Sequence, residues 1–204
     1  MMEHFVEFTA HPFGDDLHFM VNKLFSRLHG VISKENLNLG LAFPGMSSRS
    51  PGKTVRIFGS PRDLEATLKN AGIQHLIDRG FFEISEVKPV PQNAQPVVYL
   101  RIRQPEKITA TSINRKIKRL KRRAMTRGEK WDQTIHERIL KKMKNKQNHI
   151  SETPYLLIER NGKVFPIFFK KIPLMDEKPN SNPKFNRYGF GNHSNSSLNA
   201  VYDF

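Results

Sequence analysis

An α+β protein is predicted, with an N-terminal ferredoxin-like (split βαβ) domain over residues 1–90 and a smaller α/β domain over 91–204 that carries an arginine-rich helix. Three observations lead there. In the first half the apolar periodicity switches between about 2 and about 3.6 residues, in the order strand, helix, strand, strand, helix, strand. Pro89, Pro91 and Pro96, with Asn93, then interrupt regular structure across 88–96. Beyond that break the charge changes character: residues 1–100 hold 10 Lys or Arg against 10 Asp or Glu, whereas residues 101–148 hold 17 against 4. The formal net charge of +15 therefore resides almost wholly in one segment, the mark of a contact surface for a polyanion.

HFVEFTA (4–10) alternates apolar and polar residues, as a half-buried strand does. Asp15 and Asp16 suit the start of a helix, in which Leu17, Val21, Leu24, Leu28, Val31 and Ile32 recur as one apolar stripe. LGLAFP (39–44) and TVRIFGS (54–60) read as two strands joined by a polar loop. Ser60 caps a second helix with Pro61 in its first position and Asp63 near its positive end. Ala71-Gly72 is expected to stop that helix, and FFEISEV (81–87) is the closing strand.

After the break, VVYLRIR (97–103) is a short strand. In 111–126, Ile113, Ile117, Leu120 and Ala124 fall within a narrow arc at roughly 100° per residue. Arg115, Lys118, Arg119 and Arg122 occupy the opposite side, with Lys116, Lys121 and Arg123 flanking the stripe. A helix that docks by one face and presents cations on the other can track phosphates and contact guanine edges in bidentate fashion. The acidic i,i+4 partners that accompany a merely solvated basic face are absent from 115–127. An A-form major groove is too narrow for side chains along most of its length, so this helix would enter near a hairpin's end. A structured RNA is the expected partner.

A hydrophobic share of 37% with 15 Phe supports a folded core. With no cysteine, disulfide frameworks and thiolate metal sites are excluded, and the cytoplasm is the expected compartment. MMEHFVEFTA lacks a basic n-region followed by an apolar run, and no apolar stretch is long enough to span a bilayer, so no membrane partner is expected. His4, His11 and His18 read as lying on a strand, a loop and a helix with no carboxylate cluster, so neither a metal nor another cofactor is expected. Gly45 to Thr54 ends like a phosphate loop, yet six residues separate its glycines where that loop has about four. Asn192 and Asn195 each begin an N-x-Ser sequon that carries little weight without a secretory signal. The Asn/Ser-rich stretch 179–198 is expected to be a flexible surface loop.

Four features resemble the CRISPR repeat-processing endoribonucleases of the type I-F (Csy) family. They are KLFSRLHGVI (23–32) followed by LGLAFPG (39–45), RIRQ (101–104) ahead of RKIKRLKRRA (115–124), KVFPIFF (163–169), and RYGFG (187–191). The run RKIKRLKRRAMTRGEKWD (115–132) is most similar to the branch associated with CRISPR-guided transposons. The resemblance implies a metal-independent endoribonuclease that binds the stem-loop of a CRISPR repeat transcript, cuts at the base of the stem and stays on the product. The implied partners are that hairpin, other protein subunits of a type I-F surveillance complex and, in the transposon branch, a transposition-targeting protein. By position His29 matches the catalytic histidine, Tyr188 the tyrosine that supports it, and Phe165 the aromatic that stacks beside the stem. Lys118, Arg119, Arg122 and Arg123 match groove-facing arginines, and Gln104 matches a base-reading glutamine. The family's arginine two places before that glutamine is Ile102 here, so either neighbour, Arg101 or Arg103, can take its role. ERNGKVF (159–165) is shorter than the family's hairpin and lacks its serine, with Arg160 or Asn161 as the substitutes at hand.

RNA can be cut without a metal because its own 2′-hydroxyl attacks the adjacent phosphate, giving a 2′,3′-cyclic phosphate and a 5′-hydroxyl. Histidine suits the proton transfer because its pKa lies near neutrality. His29 falls at the edge of the apolar stripe beside Phe25 and Asn22, a position where a histidine is more often structural, and the family resemblance reverses that balance. Two rival readings remain: a non-catalytic hairpin-binding subunit, favoured by the missing serine, and a general binder of structured RNA that needs no placed histidine.

Overall fold

The computed structural model describes residues 3–11, 16–103, 105, 110–150, 152–160, 162–174, 179–192 and 199–204. Strand β1 (His4–Ala10) is followed by helix α1 (Leu17–Glu35). The Asp16 carboxylate accepts the Phe19 N–H at 2.8 Å to open α1, and Asn36 closes it in the left-handed conformation at φ 54°. Asp15 lies outside the described residues. The stripe Val21, Leu24, Leu28, Val31 and Ile32 is buried, as its spacing predicts.

Strands β2 (Gly40–Ala42) and β3 (Thr54–Gly59) pair antiparallel. Helix α2 (Pro61–Leu68) starts at Ser60, whose hydroxyl accepts the Asp63 N–H at 3.1 Å. Ala71-Gly72 does not stop this helix but starts another. Here α2 ends at Leu68, and the Asn70 side chain accepts the Gly72 N–H at 3.0 Å, capping α3 (Ala71–Asp78). The closing strand is also shorter than expected. β4 covers Phe82–Ile84, because the Glu7 N–H turns to the Ser85 hydroxyl at 3.0 Å and takes that donor out of the ladder. Pairing with β1 resumes at β5 (Lys88–Pro89). The first sheet has the order β2-β3-β1-β4, with β5 also on β1.

The second sheet contains β6 (Gln95–Arg101), β7 (Tyr155–Arg160), β8 (Lys163–Pro173) and β9 (Val201–Asp203), in the order β7-β8-β6-β9 and antiparallel throughout. Among the described residues two α-helices lie between β6 and β7. The predicted basic helix is α4 (Ala110–Thr126), and a further helix, α5 (Gln133–Ile150), packs against it. Gly128 at φ 71° ends the first, and the Asp132 carboxylate opens the second by accepting the Thr134 N–H at 2.7 Å. The α+β class expected from the periodicities is the class observed, with both sheets antiparallel. Among the described residues no helix is long and apolar enough to cross a membrane.

The expected interruption across 88–96 is narrower than that: Lys88–Pro89 belong to β5 and Gln95–Pro96 to β6, so only residues 90–94 join the two sheets, and one core runs beneath both. Phe25 and Phe43 from the first half meet Tyr99, Phe169 and Phe190 from the second, with ring centroids 4.9 Å apart for Phe43–Phe169, 5.3 Å for Phe169–Phe190 and 5.9 Å for Phe25–Phe190. Such pairs contribute about 0.5–1.5 kcal/mol each beyond area burial, which ties the halves together. A second fastening lies under β9. Buried Arg56 donates from Nε to Glu7 at 2.7 Å and stacks 3.6 Å from the Phe204 ring.

The Asn/Ser-rich stretch is not a free loop where it is described. Asn38 donates to the Pro183 carbonyl at 2.8 Å and accepts the Phe185 N–H at 3.1 Å. Asn199 accepts the Lys184 N–H at 3.0 Å and donates to its carbonyl at 2.6 Å. These asparagines replace a regular ladder and satisfy the backbone of an irregular segment.

Candidate functional site

Residues RYGFG (187–191) form a tight turn built on Asn186, whose side-chain oxygen accepts the N–H groups of Tyr188 at 2.8 Å and Phe190 at 3.3 Å. Gly189 sits at φ 72°, donates to the Asn186 carbonyl at 2.8 Å and gives its own carbonyl to the Leu41 N–H at 2.8 Å. An added Cβ there would stand 2.4 Å from Leu41 Cγ, so only glycine lets the turn approach β2 so closely. Gly191 donates to the Tyr99 carbonyl at 2.9 Å, fastening the other end to β6. Between these anchors Phe190 drops into the core, and Tyr188 is left half-buried at its rim.

Helix α1 brings His29 to the same place. The imidazole stacks on the Tyr188 ring with centroids 4.7 Å apart and planes 12° apart. Its Nδ1 lies 2.8 Å from the Arg187 carbonyl oxygen, 158 residues away in sequence. A carbonyl only accepts, so Nδ1 carries the proton, and in the neutral ring the lone pair is on Nε2. Phe25, one turn earlier on α1, also stacks on Tyr188 at 6.4 Å. The guanidinium carbon of Arg101, the last residue of β6, lies over the Tyr188 ring at 4.9 Å. The structure thus gathers His29, Tyr188 and Arg101 at one point.

The other predicted residues line the surface beyond. Arg103 is exposed just past the end of β6. On α4, Ile113 is buried and Ile117, Leu120 and Ala124 are half-buried, while Arg115, Lys118, Arg119, Arg122 and Arg123 are exposed. The docked stripe and free cationic face are therefore those the helical wheel predicts. Phe165 stands 47% exposed on β8. Gln104 and Asn161 lie outside the described residues, as does the side chain of Arg160.

One further device joins the two halves of the site. β7 is the edge strand of its sheet, and polar side chains of α1 satisfy its open edge. His18 Nε2 meets the Tyr155 carbonyl at 3.0 Å, Asn22 accepts the Leu157 N–H, and Ser26 donates to the Leu157 carbonyl at 3.2 Å. The hairpin bearing Phe165 is thereby fastened to the helix that bears His29. A polar Asn22 beside apolar stripe positions was the available signal. Among the described residues no group of three or more His, Asp or Glu side chains could hold a metal ion.

A protein-family model described as a CRISPR-associated protein (Cas_Csy4) matches residues 5–198. Comparison with curated proteins finds no match.

Proposed function

The chain belongs to the CRISPR-associated Csy4 family, and from that premise we propose that it binds the stem-loop of a CRISPR repeat transcript, cuts it without a metal ion at the base of the stem, and stays on the product as a subunit of the guide-RNA complex. The observation that carries this reading is the double restraint on His29: Nδ1 held by the Arg187 carbonyl and the ring held flat on Tyr188. Nε2 is left as the base. It takes the proton of the 2′-hydroxyl; the 2′-oxygen bonds to phosphorus; the bond from phosphorus to the 5′-oxygen breaks, and that oxygen leaves with a proton. The products are a 2′,3′-cyclic phosphate and a 5′-hydroxyl, with no net gain or loss of atoms.

The exposed cations of α4 track the hairpin groove, Phe165 stacks beside the stem, and Arg103 with Gln104 reads bases at its foot. The strand order β2-β3-β1-β4 supports a ferredoxin-like reading of residues 1–90, with 91–204 as the RNA-binding half on a shared core. The run 115–132 supports the transposon-associated branch, in which a transposition-targeting protein joins the other subunits as a partner.

A second reading, a hairpin-binding subunit that does not cut, is favoured by the absence of a serine from ERNGKVF (159–165). Incubating the purified protein with its cognate repeat RNA separates the two. Cleavage is expected to persist in excess chelator and to vanish with one 2′-deoxy substitution upstream of the scissile phosphate, with binding retained. Chelator-sensitive cleavage or efficient cutting of the deoxy RNA would overturn the mechanism. Tight binding of an intact repeat that is never cut would favour the second reading.

A further inference from the structure

Helix α1 buries one side in the core and leaves another bare. Phe19, Lys23, Arg27 and Gly30 are all exposed, and they lie within about 80° of one another at about 100° per residue. His29 is the next position round from Gly30, so this row runs along the helix beside the candidate site. At a rise of about 1.5 Å per residue Phe19 stands about 15 Å back from His29, the span of about four stacked nucleotides at about 3.4 Å each. The chemistry of the row suits a single-stranded nucleic acid. Phe19 is 50% exposed, and the Lys23 ammonium lies 4.7 Å from its ring centre. A cation holds an exposed ring less firmly than a stacked base does, so an incoming base can displace the ammonium toward a phosphate. Arg27 rests its stem on the start of α3, where a Cβ added to Gly72 would stand 3.3 Å from Arg27 Cδ. Gly30 opens a gap in the row: no described atom lies within 4 Å of where its Cβ would be. Glycine inside a helix costs stability relative to alanine, and no described packing contact calls for it here. The carboxylates at the two ends of the helix are engaged elsewhere, Asp16 with the Phe19 N–H and Glu35 with the Asn70 amide.

We propose that this row of α1 carries the unpaired RNA strand that leaves the foot of the stem, with a base stacked on Phe19 and phosphates held by Lys23 and Arg27. The inference rests on the hairpin-binding part of the proposed function and is independent of cleavage. With His29 at the foot of the stem, α4 and Phe165 take the stem, and the row on α1 continues the same surface past its foot. Gly30 lets the strand pass close to the helix as it leaves His29. Every base has a face that stacks on an aromatic ring, so the row adds affinity for single strand without adding a sequence requirement.

The test compares the repeat hairpin ending at the foot of its stem with the same hairpin carrying an unpaired tail of about four nucleotides, the span set by the helix. The tail is placed on the 5′ and on the 3′ strand in turn, and the tailed RNAs carry the 2′-deoxy substitution that keeps the tail attached. The full-length wild type is expected to bind one of the two tailed RNAs about tenfold more tightly than the bare hairpin, within the range of one stacked base. Phe19→Ala, and Phe19→Leu, which keeps an apolar side chain without the ring, are expected to remove most of that gain. Thermal melting checks that each variant folds. A tail of abasic nucleotides keeps the phosphates and removes the bases. Against it Phe19→Leu should match the wild type, whereas Lys23→Gln with Arg27→Gln should still lose affinity. A hairpin bound tightly with no gain from either tail overturns this inference alone and leaves the row to a protein partner. Full gain in Phe19→Leu overturns it as well. A bare hairpin bound no better than an unrelated RNA overturns the hairpin-binding function, and this inference with it.

Discussion

Asn22 of α1, 8% exposed, accepts the backbone N–H of Leu157 at 2.9 Å across 135 residues of sequence. A side chain thereby supplies the acceptor that a neighbouring strand would supply to the edge of β7. Asn22→Leu keeps the branched skeleton of the side chain and orphans that N–H, at a cost of about 1–3 kcal/mol. Urea unfolding should show a lower midpoint with an unchanged slope. An unshifted midpoint would show that the α1–β7 clasp adds nothing to stability.

His29→Ala is expected to slow cleavage of the repeat by at least about 10²-fold, the lower contribution of a general acid or base. Hairpin affinity should stay close to that of the wild type. Single-turnover rates and equilibrium binding, measured on the same RNA, make the comparison. A proportional loss of both would reduce His29 to a structural role.

Arg119→Ala or Arg122→Ala should weaken hairpin binding by about 1–3 kcal/mol if the residue makes a bidentate base contact. The loss should be smaller on an unrelated RNA. Wild-type affinity should fall steeply with salt, because each phosphate contact releases counterions. Equal losses on both RNAs would favour a general RNA binder over a hairpin reader.

Gly189→Ala combines a left-handed backbone at φ 72° with a Cβ 2.4 Å from Leu41 Cγ. Overpacking and backbone strain together should cost at least about 2 kcal/mol. Because the same turn carries Tyr188, cleavage should fall further than hairpin affinity. A variant as stable and as fast as the wild type would mean that the turn relaxes without moving Tyr188.

Burial pushes the Tyr99 hydroxyl from 10.0 up to about 12, and in its neutral form the hydroxyl donates to the Phe43 carbonyl at 3.2 Å. The folded-state value is raised, so the neutral form is the one the fold favours. Its contribution to stability is full below pH 10.0 and is lost as pH rises from there through about 12. Melting temperature against pH should therefore drop more steeply above pH 10 for the wild type than for Tyr99→Phe. Parallel curves would contradict the assignment.

Much of the fold was legible locally. The β1 alternation, the α1 stripe with its Asp16 cap, Ser60-Pro61 at the head of α2 and the two-faced α4 each depend on residues within a few positions of one another. The misreadings have local causes as well. Ala71-Gly72 looked like a stop because Gly often ends helices, but Asn70 before it acts as a cap and makes it a start. Gly128 and Asp132 mark the stop before α5 and its start in the same way, a local signal beside the much stronger charge of α4.

By itself the sequence determined the α+β class, the concentration of charge in residues 101–148 and the identities of His29, Tyr188 and Arg101 as residues of interest. The class follows from periodicity and the charge from a count, both of which operate over short stretches, whereas the three residues stand out only through the resemblance of their motifs to the Csy family. Only the tertiary structure decided that the three meet on one ring, that a carbonyl of Arg187 selects the protonated nitrogen of His29, and that Asn22 closes the edge of β7. Those contacts join positions up to 158 residues apart. Their geometry comes from two sheets closing on one aromatic core, a collective packing outcome that no local pattern encodes.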